Sequence, residues 1–374
     1  MRILYITTVG STMGFFRDLI TELVCDGSTV DIATNECHRE SMVNPLYQSL
    51  GCRVYPISCS RFPFDKGNLN AINEIREIVA KGNYDIVHCH TPIAAACTRL
   101  ACKGLRKSGV KVIYTAHGFH FYTGAPLKNW LLYYPVEWLC AHWTDVLITI
   151  NKEDYERAKK HMHARRVVYV PGVGIDTKRF MDATVDRATM RREIGVPEDA
   201  VLLMSVGELI ARKNHEVAMK ALAKIADKNI HYAIVGIGPL RDELQTLAES
   251  LGVGEQVHFL GYRRDIPELY KAADICVFPS HQEGLPVAVM EAMACGLPII
   301  ASDIRGSHEL LSSSGNVLIT KCDDAGAFAE AIKRLSADAT LCAEMGVANL
   351  EKSAAYDVEI INVRMKEIYN EQFE

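Results

Sequence analysis

The stretch HQEGLPVAVMEAMACGLPIIASD, His281 to Asp303, decides how this chain reads. Pro286 stands where a first helical residue belongs, Gly296 and Pro298 supply a stop, and a β-rich run from Pro298 to Ala301 follows. The pattern predicts a loop, a short helix and a strand. Because Pro286 carries no N–H, the next amides, Val287 and Ala288, are among the donors left without partners at the helix start, where the partial positive charge also lies. An anion fits there. Glu283 lies in the loop ahead of the helix, and Glu291 lies about 9 Å along it from Leu285, at ~1.5 Å per residue. A diphosphate over the helix start would set one sugar near each carboxylate, which is the layout of a nucleotide sugar. A crossover helix carrying two solvated acids has the same spacing, and spacing alone does not separate the two.

Glu283 and Glu291, with Gly284, Leu285 and Pro286 between them, closely resemble the E-x7-E signature of retaining glycosyltransferase family four, whose fold is GT-B. The resemblance implies that Glu283 contacts the donor sugar, that Glu291 contacts the nucleotide ribose, and that Gly284, Leu285, Pro286 and Val287 form the donor-binding turn between them. Further out, His117 in TAHGFHFY resembles the family's active-site histidine, near donor sugar and acceptor. Gly14 aligns with the glycine that approaches the donor diphosphate, and GYRRDIPELY, residues 261–270, resembles the turn whose backbone near Tyr262 and Arg263 meets the nucleobase. The family places a basic pair after the first strand of its second half, an Arg directly after the glycine and a Lys five positions on. Here Gly207 is followed by Glu208; Lys213 carries over, and Arg212 is the candidate to replace the arginine. PGVGIDTKRF, from Pro171, resembles the inter-domain segment, and its wording together with TAHGFHFY and LITINKEDY resembles the bacterial exopolysaccharide and capsule branch.

The rest of the chain reads as alternating strands and helices, hence parallel sheets. RILYIT is a strand, Gly10 to Thr12 a loop, and Phe15 to Leu23 a helix with Gly14 at its start, where a missing side chain lets backbone approach a ligand. TVDIATN and CRVYPIS are strands separated by a helical segment, and Asn70 to Ala80 is an amphipathic helix. Two further strands end in His88 and His90 and in His117 and His120, where doubly wound sheets carry their ligand crevice. A His-x-His pair can share zinc, but no third ligand set accompanies it. His88, His90 and His120 read as histidines satisfied by the fold.

The Pro171-Gly172 turn marks the linker. Beyond it the design repeats: VLLMSVGEL, HYAIVGIGP and VHFLGY are strands, with helices over Asn214 to Ala226 and Leu240 to Leu251; ADICVFPS leads into the opening stretch, and Asp357 to Tyr369 is a last amphipathic helix. The expectation is an α/β protein of the GT-B fold: two facing Rossmann-like domains, residues 1–171 for the acceptor and 172–355 for the nucleotide sugar, with residues 356–374 crossing back as a helix onto the first domain. The cleft between them is the expected site.

The chain has 374 residues, 49% hydrophobic and 23% charged, which suits a globular protein of two domains and excludes a disordered one. Residues 1–170 hold 20 Lys and Arg against 15 Asp and Glu, the remainder 21 against 31. The basic first half suits an anionic surface or a phosphorylated acceptor. All three Trp fall in residues 118–143, where Lys128, Trp130 and Trp138 are candidates for gripping a lipid acceptor or the inner face of a membrane, although a core helix uses aromatics too. There is no apolar run of about 20 residues and the start turns polar after eight, so the expected location is cytoplasmic, at the cytoplasmic face of the membrane if the lipid reading holds. The twelve Cys show no C-x-x-C pair and read as reduced thiols.

Scanning the aspartates finds no Asp-x-Asp, the metal-holding motif of the other large glycosyltransferase fold, so no catalytic metal and no cofactor is expected. The resemblance implies a retaining, UDP-sugar-dependent transferase acting on a polysaccharide precursor or lipid-linked acceptor, with His117, Glu283, Lys213 and Arg212 as the catalytic set and no role for nucleic acid. A GT-B nucleotide-sugar epimerase and a non-catalytic GT-B partner protein are the rival readings.

Overall fold

The computed structural model describes residues 1–36, 42–319 and 321–373. Two compact units divide it: Met1–Val173 joined by Ile360–Glu374, and Gly174–Glu359.

The first unit is built on a parallel sheet of β1 (Arg2–Val9), β2 (Thr29–Asn35), β3 (Val54–Pro56), β4 (Ile86–His90), β5 (Lys111–Ala116), β6 (Val146–Thr149) and β7 (Arg166–Tyr169), in the order β3-β2-β1-β4-β5-β6-β7. These strands are apolar on both faces because helices cover both. Along β1, Leu4 and Ile6 join one core with the helices Gly67–Gly82 and Pro92–Cys102. Ile3 and Tyr5 join the other, with Leu19, Ile20 and Leu23 of Arg17–Cys25 and with Ile361, Met365, Ile368 and Tyr369 of the last helix, Val358–Asn370. The last helix, amphipathic as its periodicity predicts, therefore completes the core of the first unit, as the family resemblance implies. The strand order reverses between β1 and β4, which opens a crevice at their carboxyl ends.

The second unit repeats the plan with β8 (Val201–Val206), β9 (Ile230–Val235), β10 (Val257–Gly261), β11 (Ile275–Phe278), β12 (Ile299–Ser302) and β13 (Val317–Ile319), ordered β10-β9-β8-β11-β12-β13. All pairings are parallel, and the reversal falls between β8 and β11. The short helix after β11, Val287–Ala294, ends where Gly296 adopts φ 74, a left-handed conformation that costs other residues strain; the amides of Gly296 and Leu297 turn back onto Met293 and Ala292 carbonyls. The chain enters and leaves this unit side by side: Ile175 N–H donates to Tyr356 O at 3.0 Å and Val358 N–H to Ile175 O at 2.8 Å.

Some boundaries moved. The first helix runs Arg17–Cys25, preceded by a 3-10 turn, Gly10–Phe16, that absorbs Gly14 and Phe15. The helical segment expected between β2 and β3 is short, Leu46–Ser49, and its predicted span partly falls on residues 37–41, outside the described ones.

Candidate functional site

In the second unit the predicted helix start forms with one correction. Pro286 is not the first helical residue; it is the extended residue just ahead of it (φ −77, ψ 117), because the turn that delivers Glu283 must finish before helical geometry begins. The amides of Val289 and Met290 bond Pro286 O at 3.2 and 3.3 Å, so those of Val287 and Ala288 have no protein acceptor among the described residues. The free donors are those that the sequence points to. Gly306, on the helix Arg305–Leu311, packs this turn from behind: a Cβ there would lie 2.7 Å from Gly284 O, too close for any other residue. Leu285 anchors the turn in the core, and Val287 is half-buried.

Glu283 is held by two cations. Lys213 Nζ donates to its Oε1 at 2.9 Å, and Arg212 donates to the same oxygen while also bonding Gln282 O at 2.9 Å. His281 N–H in turn donates to Arg212 O, so the turn after β8 and the loop after β11 are tied by backbone and side chain. Lys213 lies 5.3 Å from the centre of the Phe278 ring and passes over Gly207, where a Cβ would approach its Cε to 3.2 Å. Glu208, which directly follows Gly207, is exposed, and Arg212 reaches Glu283 beside Lys213.

Glu291 is half-buried, and its carboxylate has no hydrogen-bond partner among the described residues. Desolvation raises its carboxyl to about 7, opposed by the charge of Arg179, a residue the sequence reading passed over although it stands in PGVGIDTKRF. Tyr262 is 70% exposed at the end of β10, and Ile237, equally open, sits at the end of the neighbouring β9. The Arg263 guanidinium is engaged by Asp265 (Nε to Oδ1 2.8 Å) and by Glu193 at 2.8 Å.

In the first unit, His117 follows β5 and faces His90 at the end of β4, Nε2 to Nδ1 3.1 Å. The loop after β1 sends Phe16 onto both, with ring centres 4.2 Å from His90 and 5.9 Å from His117, while Gly14 in the same loop is exposed with nothing within 4 Å of a notional Cβ. His88 is bonded to Tyr369 and Thr115 hydroxyls at 2.7 and 2.8 Å, and Tyr369 to Tyr5 at 2.6 Å. Burial lowers His117 to about 4 and His88 to about 3, so both are neutral. His120 stacks on Tyr133. The sequence reading sets His117 apart from His88, His90 and His120; the structure adds that His90 faces it.

The aromatic segment forms the helix Leu127–Ala141. Its two named tryptophans part company: Trp130 packs against the core and under Arg157, whereas Trp138 is exposed beside His142 and His163. Leu127, Leu131, Val136 and Leu139 are exposed on the same helix, as is Lys128.

A family model described as glycosyl transferases group 1 matches residues 186–351, and one described as glycosyl transferase 4-like matches residues 2–151. The EpsD protein of Bacillus subtilis, provisionally named a glycosyltransferase, is 39% identical over 321 residues, 84% of each chain. The UDP-Gal:alpha-D-GlcNAc-diphosphoundecaprenol alpha-1,3-galactosyltransferase of Escherichia coli is 29% identical over 305 residues, 79% of this chain and 77% of the relative. Among solved structures, Anabaena Alr3699/HepE in complex with UDP superposes with TM-score 0.80 at 21% identity, covering 99% of this chain and 100% of that one. WaaG, a glycosyltransferase involved in lipopolysaccharide biosynthesis, gives 0.76 at 18% identity, covering 98% and 99%. At such identities the structures establish the fold, and it is GT-B.

Proposed function

This chain belongs to the family-four glycosyltransferases of the GT-B fold, and we propose that it moves a hexose or N-acetylhexosamine from a UDP donor to a lipid-linked saccharide, with retention at the anomeric carbon and without a metal ion. The observation that carries the reading is that the second unit alone sets two cations on Glu283, in the loop ahead of a helix whose first two amides have no acceptor among the described residues and whose Glu291 lies one turn on. A diphosphate on the Val287 and Ala288 amides draws Lys213 and Arg212 onto its oxygens and releases Glu283 to accept sugar hydroxyls. The Glu291 carboxylate, with no side-chain partner among the described residues, takes the ribose hydroxyls, and backbone at Gly207, Tyr262 and Arg263 completes the second unit's donor contacts.

In the reaction the bond from the sugar's anomeric carbon to the diphosphate oxygen breaks. The acceptor oxygen bonds that carbon on the same face, and its proton passes to the departing phosphate oxygen. Charge growing on the leaving group is met by Lys213, Arg212 and the two amides, the work a divalent metal does elsewhere. No protein nucleophile is needed. His117 is assigned to the sugar hydroxyls.

UDP is favoured because HepE is crystallised with UDP and the Escherichia coli relative is named for UDP-galactose. A lipid-linked acceptor is favoured by that relative's name and by a Campylobacter jejuni relative named for a diphospho-undecaprenol acceptor. The exposed Leu127, Leu131, Trp138 and Leu139, with Lys128, suit a lipid boundary beside it. No helix among the described residues is long and apolar enough to cross a membrane. The test is a thermal-shift screen of UDP- and GDP-sugars in EDTA, followed by transfer to undecaprenyl-diphosphate-linked GlcNAc with the product's anomeric configuration read by NMR. Stabilisation by a UDP-sugar and an α product support the proposal; a β product, a requirement for Mg²⁺ or a response to GDP-sugars alone would overturn it.

A further inference from the structure

His90 ends β4 with 1% of its surface exposed, enclosed by Phe16 at 4.2 Å, His88 at 4.2 Å and Tyr5 at 5.6 Å between ring centres. Its Nδ1 faces Nε2 of His117 at 3.1 Å, and its Nε2 is buried with no partner among the described residues. Nδ1 of His117 has no protein partner among the described residues and is not enclosed, so it is the nitrogen left for a ligand. One proton must sit between the two rings. If it belonged to His117 Nε2, His90 would carry its own proton on Nε2, a buried N–H with nothing to accept it. If it belongs to His90 Nδ1, the orphaned atom is only a lone pair. Orphaned buried donors are rarer and costlier than unfilled acceptors.

We propose that His90 is the positioning residue of His117: it donates from Nδ1 to His117 Nε2 and so fixes His117 as the Nδ1–H tautomer, presenting an N–H donor to the sugar in place of a base. In that tautomer His117 binds a hydroxyl oxygen and cannot take the acceptor's proton, which goes to the leaving phosphate. Both rings stay neutral because burial holds them below the ordinary histidine range. The role at the sugar rests on the transferase reading above; the tautomer does not, and it is measured without substrate.

The experiment is a long-range ¹H–¹⁵N spectrum of the whole protein labelled with ¹⁵N-histidine, the His117 ring assigned by the signals lost in His117→Ala. The expected result is Nδ1–H at His117 in the resting protein, retained in His90→Gln, whose carboxamide still donates, and replaced by the Nε2–H form in His90→Phe, which fills the space without a donor. Nε2–H in the unsubstituted protein overturns the proposal whether or not the variants fold. So does a folded His90→Phe in which His117 remains Nδ1–H. Failure of every UDP-sugar to bind, with Nδ1–H observed, would strike the transferase reading and leave the tautomer assignment standing.

Discussion

The two units share a sheet plan and finish their strands in opposite chemistry. At the ends of β8 and β11 the second unit gathers Lys213, Arg212, Glu283, Glu291 and two amides without acceptors, a site made of charge. At the ends of β1, β4 and β5 the first unit gathers Phe16, His90 and His117, rings kept neutral by burial. On the function proposed above, the charged site would meet a departing diphosphate and the neutral rings sugar hydroxyls. The difference teaches that a repeated fold fixes where ligands are met, while strand-end residues fix which part of a reaction is handled there.

The largest effect that could break the comparison is Lys213→Ala, expected to lower turnover about 10²- to 10³-fold by removing a charge that stabilises the leaving group. Steady-state rates on the donor from the thermal-shift screen check it, and turnover near that of the unsubstituted enzyme would place the charge work elsewhere. Arg212→Ala should cost less, since Lys213 remains.

Next is the seam between the last helix and the first unit. Ile368 is fully buried in the core, so Ile368→Ala should destabilise by about 2–5 kcal/mol. Urea denaturation should show that loss in the first unit, with the second unit's transition unmoved. Equal loss in both would contradict two separate cores.

Acidity separates the sites by sign. His88 and His117 have folded values of about 3 and 4, below the ordinary 6.5, so the unfolded chain binds more protons in that window. Their contribution is full above about pH 6.5 and is lost as pH falls towards 4, readable as a drop in Tm. Glu291 runs the other way. Its carboxyl is raised from 4.5 to about 7, so the folded chain holds the extra proton, and its burden on stability grows from about pH 4.5 to pH 7. Glu291→Gln should therefore match the unsubstituted protein near pH 4.5 and exceed it at pH 8 by about 1–2 kcal/mol, a figure reduced for half-exposure, while donor affinity falls. No pH-dependent gain would mean that the carboxylate is solvated.

The smallest effect on folding is expected from Trp138→Ser, under about 0.5 kcal/mol because the ring is exposed. Binding to vesicles containing anionic lipid should nonetheless weaken in a sedimentation assay. Unchanged sedimentation would leave the helix Leu127–Ala141 without a lipid role.

Much of this was legible in the chain because the signals were local. The strand-loop-helix of residues 275–294 follows from Pro286, Gly296 and an apolar run, and its one-residue displacement at Pro286 is within what capping geometry absorbs. What stayed hidden depends on partners far apart in sequence. Arg212 meets Glu283 across 71 positions, and His90 meets His117 only because β4 and β5 pair with His90 opposite Thr115. No periodicity contains that register. The split between Trp130 and Trp138 was equally closed to the sequence reading: the helix is apolar nearly all round and is interrupted by Pro135, so no stripe declares which side is covered.

Tyr369 meets both His88 and Tyr5 through its one hydroxyl, so the core around β1 is closed by a helix made only after the whole second unit. Until residues 361–369 emerge, Ile3, Tyr5 and Ile32 lack their cover, and the nascent first unit must wait through synthesis of the whole second one. A premature stop near residue 359 would keep the second unit's residues and strip Ile361, Met365, Ile368 and Tyr369 from the first unit's core, a fault that sequencing alone would misread as harmless trimming.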